Sequence, residues 1–241
     1  MKPESDKLDG ETMTVDQVLP GSVAATMSLD HENPIVQAFV DRTLRGRRGS
    51  PRENAVSLYY AVRDRILYDV YDADLSRDGL RASAVLSKGR GFCLHKSIVY
   101  AAACRAVGIP SRLVFADVRN HLASGHLLEL VGGNVFFHVL TSVWLDGRWL
   151  KATPVFNKTL CRLYGMSPLE FDGTADSLYQ PYDAENRRHM EFLKHYGEFD
   201  DLPYEMVMQK MHQSHPKLFS SKYKTASGSL IAEAQLTGTS Q

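Results

Sequence analysis

The sequence has no surplus of either charge, because 28 Lys and Arg residues balance 28 Asp and Glu residues. Nothing in this composition points to a nucleic-acid or anionic-membrane partner, so we expect neither. No apolar run approaches the ~20 residues of a membrane span, and the polar residues 1–17 lack the apolar core of a secretory signal. With 44% hydrophobic residues among 241, the composition is typical of one sizeable globular domain with extensions.

Cysteine is scarce as well, with three residues in the whole chain. They do not form a disulfide framework, so we expect a protein of the reducing cytoplasm. A free cysteine is most often a small buried core residue, and Cys104, deep in a predicted helix, fits that description. Cys161 lies in an irregular region and is given no role. Cys93 differs from both because of the residues around it.

Cys93 lies where a glycine-rich turn, Gly89 to Gly91, meets the start of a predicted helix. Apolar residues recur at helical spacing from 98 to 106, and a Gly-Ile-Pro segment at 108–110 ends the pattern. A thiol at a helix N-terminus sits beside unpaired backbone N–H groups and the positive end of the helix dipole, which favour the reactive thiolate. The sequence therefore predicts a nucleophile. Lys96 either favours the thiolate too or, more simply, is solvated.

The order of the predicted elements indicates an α+β domain. Helices begin at Asn33-Pro34 and at a capping box from Ser50 to Glu53, the second running to about Tyr68 and followed by a loop over 69–88. The predicted strands are 112–119, 126–131, 135–145 and 148–152, the last two joined by a hairpin turn at Asp146-Gly147. Helices followed by consecutive antiparallel strands predict that the Cys93 helix packs on an antiparallel sheet.

Along the chain we expect four segments. They are an N-terminal arm over 1–30, a core over 31–157, an extension packed on the core over 158–219, and a flexible tail over 220–241. Two further helices are predicted in the extension, at 185–196 and at 204–212.

The hairpin at Asp146-Gly147 fixes a register in which His138 faces Val155. His138 and Thr153 then lie on one side of the sheet as diagonal neighbours. Asn157 is the other diagonal neighbour if the strand continues that far. A Cys–His enzyme needs a third group that orients the imidazole. Thr153 and Asn157 are both placed for that role, and the sequence does not choose between them.

A polar cluster between two predicted strands is the candidate substrate-binding lining. It comprises Asp117, Arg119, Asn120 and His121. An alternative is a metal site in which His121, His126 and His138 supply nitrogen ligands. The spacing matches no metal motif, so we expect neither a metal nor another cofactor.

The segments GRGFC, RAVGIPSRLV and LDGRW, in this order around Cys93 and His138, resemble the transglutaminase-like superfamily, whose core is papain-like. The resemblance covers residues 34–157. It implies that Cys93 is the nucleophile and His138 the general base and acid. The family places an aspartate where Thr153 stands here, and the continuation KATPVFN resembles a bacterial branch in which threonine is usual. Asn157 is then the alternative orienting residue.

The resemblance and the residues together predict a cysteine-dependent enzyme of acyl transfer. Its substrate is a small molecule, a peptide or a carrier-bound acyl group, and the acyl-enzyme is resolved by water or by an amine. Two alternatives remain open at this point. One is a non-catalytic binding module that retains the fold, favoured by the missing aspartate, and the other is the histidine-based metal enzyme.

Overall fold

The structure, a computed structural model, describes residues 22–71, 73–120, 133–163, 166–178 and 190–219. Its elements are α1 Pro34–Leu44, α2 Pro51–Arg65, β1 Leu67–Tyr68, α3 Ala82–Lys88, β2 Arg90–Gly91, α4 Cys93–Arg105, β3 Ser111–Asn120, β4 Val135–Leu145, β5 Arg148–Ala152, α5 Lys158–Leu163, β6 Met190–Phe199, α6 Tyr204–Ser214 and a 3₁₀ helix Pro216–Phe219. The N-terminal helices pack on a four-stranded antiparallel sheet of order β5-β4-β3-β6, which confirms the predicted α+β class. None of the described helices is long and apolar enough to cross a membrane. The strand predicted at 126–131 and the tail at 220–241 lie outside the described residues.

Both predicted helix starts are confirmed by their caps. Asn33 accepts a hydrogen bond from the backbone N–H two residues later at 3.0 Å, and Ser50 and Glu53 form the reciprocal capping box of α2. The predicted end of α2 is three residues too late. The helix stops at Arg65 because Ile66 adopts an extended conformation and leads into β1.

Two other predicted segments are corrected. The loop predicted over 69–88 contains α3, whose start has no capping side chain and therefore leaves no start signal in the sequence. The helix predicted over 185–196 is wrong where the chain is described, because residues 190–199 form β6. Two register shifts between β6 and β3 interrupt the two-residue alternation by which a strand is recognised. The helix predicted at 204–212 is confirmed as α6.

The β4–β5 hairpin has the predicted register as far as Thr141 opposite Ala152. Pairing stops there, so the predicted facing pair of His138 and Val155 is not formed. On the other side of β4, Ala116 of β3 lies opposite His138. The segment predicted as an extension contributes β6, the edge strand beyond β3.

The helix α4 defines an inner face of the sheet. All thirteen of its residues are buried, and the apolar ones share one core with Phe115 of β3 and Val139 of β4. Because side chains alternate along a strand, Ala116, His138 and Leu140 lie on the opposite side, which we call the outer face.

Candidate active site

Cys93 is the first residue of α4 and is 7% exposed. Phe92 precedes it, and no side chain caps the start of the helix. The N–H groups of the first turn therefore have no partner within the helix. Those of Cys93 and Leu94 act on the sulfur, and so does the N–H of Val139 on β4. All three backbone N–H groups lower the pKa of the thiol.

The glycine turn before Cys93 has a steric reason. A Cβ atom on Gly91 would lie 2.5 Å from the Cβ of His95, which is closer than real Cβ contacts. The His95 ring occupies this space, and its Nε2 hydrogen-bonds to the carbonyl oxygen of Asp74 at 3.0 Å. A residue with a side chain at Gly91 would push His95, and with it the first turn of α4, away from the turn.

α4 packs against the part of β4 that extends past the end of β5. Val139 turns its N–H towards Cys93, and its carbonyl oxygen accepts a hydrogen bond from the Ser97 hydroxyl at 3.0 Å. Two residues along, the Phe137 N–H donates to Nε2 of His215 at 3.0 Å. Sequence reasoning missed these contacts. The spacing of Ser97, one helical turn after Cys93, was the one available signal, whereas His215 is remote in the chain.

His138 immediately precedes Val139 and carries its imidazole on the outer face. It is 8% exposed, and its Nε2 has no hydrogen-bond partner among the described residues. The ring centroid lies 6.5 Å from that of Phe192 on β6. Burial lowers the pKa of His138 to about 4. The imidazole is therefore neutral at pH 7 and able to accept a proton.

Burial has the opposite effect on the thiol. It raises the pKa of Cys93 to about 11, although the N–H groups of Val139, Leu94 and Cys93 itself pull the pKa down. The expectation that the helix start favours the thiolate is corrected, because desolvation outweighs the backbone donors. At pH 7 the thiol of Cys93 and the imidazole of His138 are therefore both uncharged.

The two residues predicted to orient the imidazole differ in their hydrogen bonding. Thr153 is 1% exposed, and its hydroxyl has no partner among the described residues. Asn157 is engaged elsewhere. Its Oδ1 accepts the N–H of Tyr68 at 2.6 Å, and its Nδ2 donates to the carbonyl oxygens of Arg63 and Ile66. Within the described residues no hydrogen bond joins Asn157 to His138.

Lys96 donates to the same two carbonyl oxygens, Arg63 at 2.8 Å and Ile66 at 2.6 Å. It is 0% exposed, and burial lowers its pKa well below the ordinary value. The expectation of a solvated lysine is therefore wrong, because the amine caps the C-terminal end of α2 inside the core.

The three cysteines are all free. Cys104 and Cys161 are 0% exposed, and burial raises their pKa values to about 12 and about 11. The core position predicted for Cys104 is confirmed.

Asp117 and Arg119, two of the predicted substrate-binding residues, alternate with Ala116 and lie on the inner face, away from the imidazole of His138. Asp117 accepts a hydrogen bond from the Tyr196 hydroxyl at 2.6 Å. Arg119 forms an ion pair with Glu191 at 3.2 Å. The structure does not bring these two side chains together with the imidazole.

The side chain of Asn120, and the whole of His121 and His126, lie outside the described part of the chain. Among the residues that are described, no group of three His, Cys, Asp or Glu side chains is placed to hold a metal ion.

Fold and site define a class of protein, in which a buried cysteine starts a helix and meets an antiparallel strand that carries a histidine. Residues 38–154 match the sequence model of the transglutaminase-like superfamily, so this half of the chain is similar to that family. No curated protein matches the chain significantly.

Two solved structures are similar to the chain. A candidate cysteine protease from Cytophaga hutchinsonii is 13% identical, and the match covers 77% of this chain and 55% of that chain with a TM-score of 0.46. A TGase is 14% identical, with 63% of this chain and 36% of that chain covered and a TM-score of 0.39. The chain thus spans about half of the first protein and about a third of the second.

Proposed function

We propose that the chain is a cysteine-dependent hydrolase or acyltransferase of the transglutaminase-like type, with Cys93 as nucleophile and His138 as general base and acid. The observation that carries the proposal is the position of the Cys93 sulfur. It belongs to the first residue of α4, whose start has no capping side chain, and the backbone N–H groups of Cys93, Leu94 and Val139, the residue after His138, each lower its pKa. The match of residues 38–154 to the superfamily supports the reaction class.

In the first half-reaction the neutral imidazole takes the thiol proton as the sulfur attacks a carbonyl carbon. An S–C bond forms, and the carbonyl π pair moves to oxygen. The N–H groups of Cys93, Leu94 and Val139 are the donors available to this oxyanion. When the tetrahedral species collapses, the bond to the leaving nitrogen, oxygen or sulfur breaks. The leaving group takes the proton from His138.

In the second half-reaction water or an amine attacks the thioester carbonyl. His138 removes the proton of the attacking group, the S–C bond breaks, and the proton returns to the sulfur of Cys93. Amides, esters and thioesters of small molecules, peptides or carriers are the substrate classes that this chemistry accepts.

Among the described residues no carboxylate pairs with His138, which is consistent with the resting charges. A carboxylate would stabilise a permanent imidazolium, but burial keeps the imidazole neutral. The imidazolium then exists only while the proton is in transfer. A hydroxyl such as that of Thr153 suffices to orient the ring through one hydrogen bond.

The test is acylation by 4-nitrophenyl acetate, followed by the mass of the intact protein. Wild type and Cys161→Ala, a matched control that also removes a buried thiol, are expected to gain one acetyl group. Cys93→Ala is expected to gain none while its circular dichroism stays unchanged. Equal acetylation of Cys93→Ala would contradict the proposal.

A second candidate function is a binding module that retains the fold without the chemistry. The raised pKa of Cys93 and the unpartnered Nε2 of His138 favour it. It predicts a folded wild-type protein that forms no acyl-enzyme with activated amides, esters or thioesters.

For either function we propose the reducing cytoplasm as the location, supported by the three free cysteines.

A further inference from the structure

A cavity of about 450 Å³ opens on the outer face of the sheet. Its volume lies within the ~300–1,000 Å³ range of small-molecule sites. Its apolar lining consists of Val114, Ala116, Leu140, Leu178, Phe192 and Leu193. The other described lining residues are Lys151, Lys194 and His195, of which Lys194 places its ammonium group over the Tyr196 ring.

The cavity adjoins the proposed general base. Ala116 lies directly opposite His138 in the β3–β4 ladder, and Leu140 follows two residues later on the same face. The Phe192 ring is the one whose centroid lies 6.5 Å from the imidazole. A molecule in the cavity would therefore lie beside His138.

The two residues that flank the cavity-lining Leu140 on the outer face of β4 carry unpartnered polar groups. His138 Nε2 and Ser142 Oγ are buried and have no hydrogen-bond partner among the described residues. They belong to the same face of β4, four residues or roughly 13 Å apart. Ser142 lies opposite Lys151, whose ammonium group is 3.8 Å from Glu198 in a partly exposed ion pair. Buried polar atoms left unpaired are costly, and a ligand with polar groups at both ends would satisfy them.

We propose that this cavity binds the acyl part of the substrate and that this acyl part is an apolar chain ending in a carboxylate. The inference rests on the proposed function, with the reacting carbonyl at the His138 end. The carboxylate lies at the other end, where Ser142 and Lys151 offer a hydroxyl and an ammonium donor.

Two activated esters of equal chain length test the charge preference. They are 4-nitrophenyl hydrogen octanedioate, which ends in a carboxylate, and 4-nitrophenyl octanoate, which ends in a methyl group. With both, the thiol of Cys93 gains the acyl group, 4-nitrophenolate leaves, and the released phenolate reports the rate. We expect the carboxylate ester to react about fivefold faster at low ionic strength.

Lys151→Met is expected to abolish that preference, and Lys210→Met is the matched control. Lys210 lies on α6 over the Tyr196 ring and does not line the cavity, so its removal should leave the fivefold ratio intact. Leu140→Trp, which fills the cavity, should lower the rate of both octanoyl esters relative to 4-nitrophenyl acetate.

Equilibrium binding separates this proposal from the proposed function. Monomethyl octanedioate is titrated calorimetrically into Cys93→Ala and into Cys93→Ala with Lys151→Met. Binding that weakens about fivefold with Lys151→Met supports the cavity, even if the wild type forms no acyl-enzyme and the proposed function alone fails. Acylation at equal rates by both esters, or no binding of monomethyl octanedioate, would overturn the cavity proposal and leave the chemistry of Cys93 standing.

Discussion

The resemblance to the transglutaminase-like superfamily aligns Thr153 with an aspartate of that family. Its hydroxyl and the Nε2 of His138 are both buried and have no hydrogen-bond partner among the described residues. Thr153 directly follows β5, whose last residue pairs with Thr141 of β4. Because Asn157 donates its Nδ2 hydrogens to the carbonyl oxygens of Arg63 and Ile66, we propose that the Thr153 hydroxyl is the group that orients the imidazole.

Thr153→Val should slow acylation of Cys93 about five- to tenfold, because valine keeps the shape of threonine and removes the hydrogen bond. Thr153→Ser keeps the hydroxyl and should stay within about threefold of wild type. Both rates are measured with 4-nitrophenyl acetate on variants of equal thermal stability. A wild-type rate in Thr153→Val would show that the hydroxyl does not orient His138.

At this scale the sequence identifies Cys93 and His138 as candidate reacting residues but misplaces their surroundings. Cys93 and His138 are recognisable because a glycine turn and a hairpin fix their positions locally. Asn157 was placed near His138 by continuing a strand that in fact stops pairing at Ala152. Asp117 was placed by its position in the chain, but a shift of one residue along a strand changes the face.

Among the elements, the C-terminal end of α2 joins the two halves of the site. Lys96 lies on the helix that carries Cys93, and Asn157 lies on the segment that follows Thr153. Both donate to the carbonyl oxygens at the end of α2. Each of these buried carbonyl groups keeps one donor when either side chain is removed, and loses both when the two are removed together.

Lys96→Met combined with Asn157→Leu should therefore destabilise the protein by more than the sum of the single changes, by about 1–3 kcal/mol. The excess arises because only the double variant leaves buried carbonyl groups without any donor. Urea unfolding of the four proteins measures it. Lys158→Met, an exposed change next to Asn157, is the control and should stay within about 0.5 kcal/mol of wild type. Additive effects would contradict this account of the junction.

Elements with local signals were predictable, and those without were not. Capping side chains at Asn33 and Ser50 predicted the starts of α1 and α2, whereas α3 begins at Ala82 after Arg81, whose side chain does not cap the helix. The hairpin register followed from two turn residues. β6 pairs with β3 from a distant part of the chain and carries two register shifts. The local sequence therefore predicts neither that this segment is a strand nor which strand it pairs with.

For the molecule as a whole, two buried histidines make stability depend on pH. Burial lowers the pKa values of His95 and His138 to about 4 each, whereas an unfolded histidine titrates near ~6.5. Between these values the unfolded chain binds more protons than the folded one. The free energy of unfolding therefore falls as the pH drops from about 6.5 towards 4, and this contribution is fully present above that range.

We expect each histidine to contribute a slope of up to about 1.4 kcal/mol per pH unit in that window. Urea unfolding at a series of pH values measures the slope. In His138→Gln one titrating group is gone, so the slope contributed by the two histidines should fall by about half. An unchanged slope in His138→Gln would show that its imidazole is not held neutral by burial.

The charge state of the site is a property of the whole molecule, and this is why sequence reasoning misjudged it. The argument for a thiolate used only the local geometry of a helix start. The pKa of Cys93 depends on how completely α4, β4 and the neighbouring segments exclude water, which no short stretch of sequence specifies. The order of helices and strands was enough for the fold class.

The most direct test of the central claim, that Cys93 and His138 act as a pair, is the pH dependence of Cys93 acylation by 4-nitrophenyl acetate in wild type and His138→Ala. For wild type we predict a level rate between about pH 5 and 9, because the imidazole, with its pKa near 4, is already a free base. In His138→Ala the rate at pH 7 should fall at least ~100-fold. It should then rise with pH towards the thiol pKa of about 11. Identical pH profiles in the two proteins would contradict the claim that Cys93 and His138 act together and would favour the non-catalytic binding module.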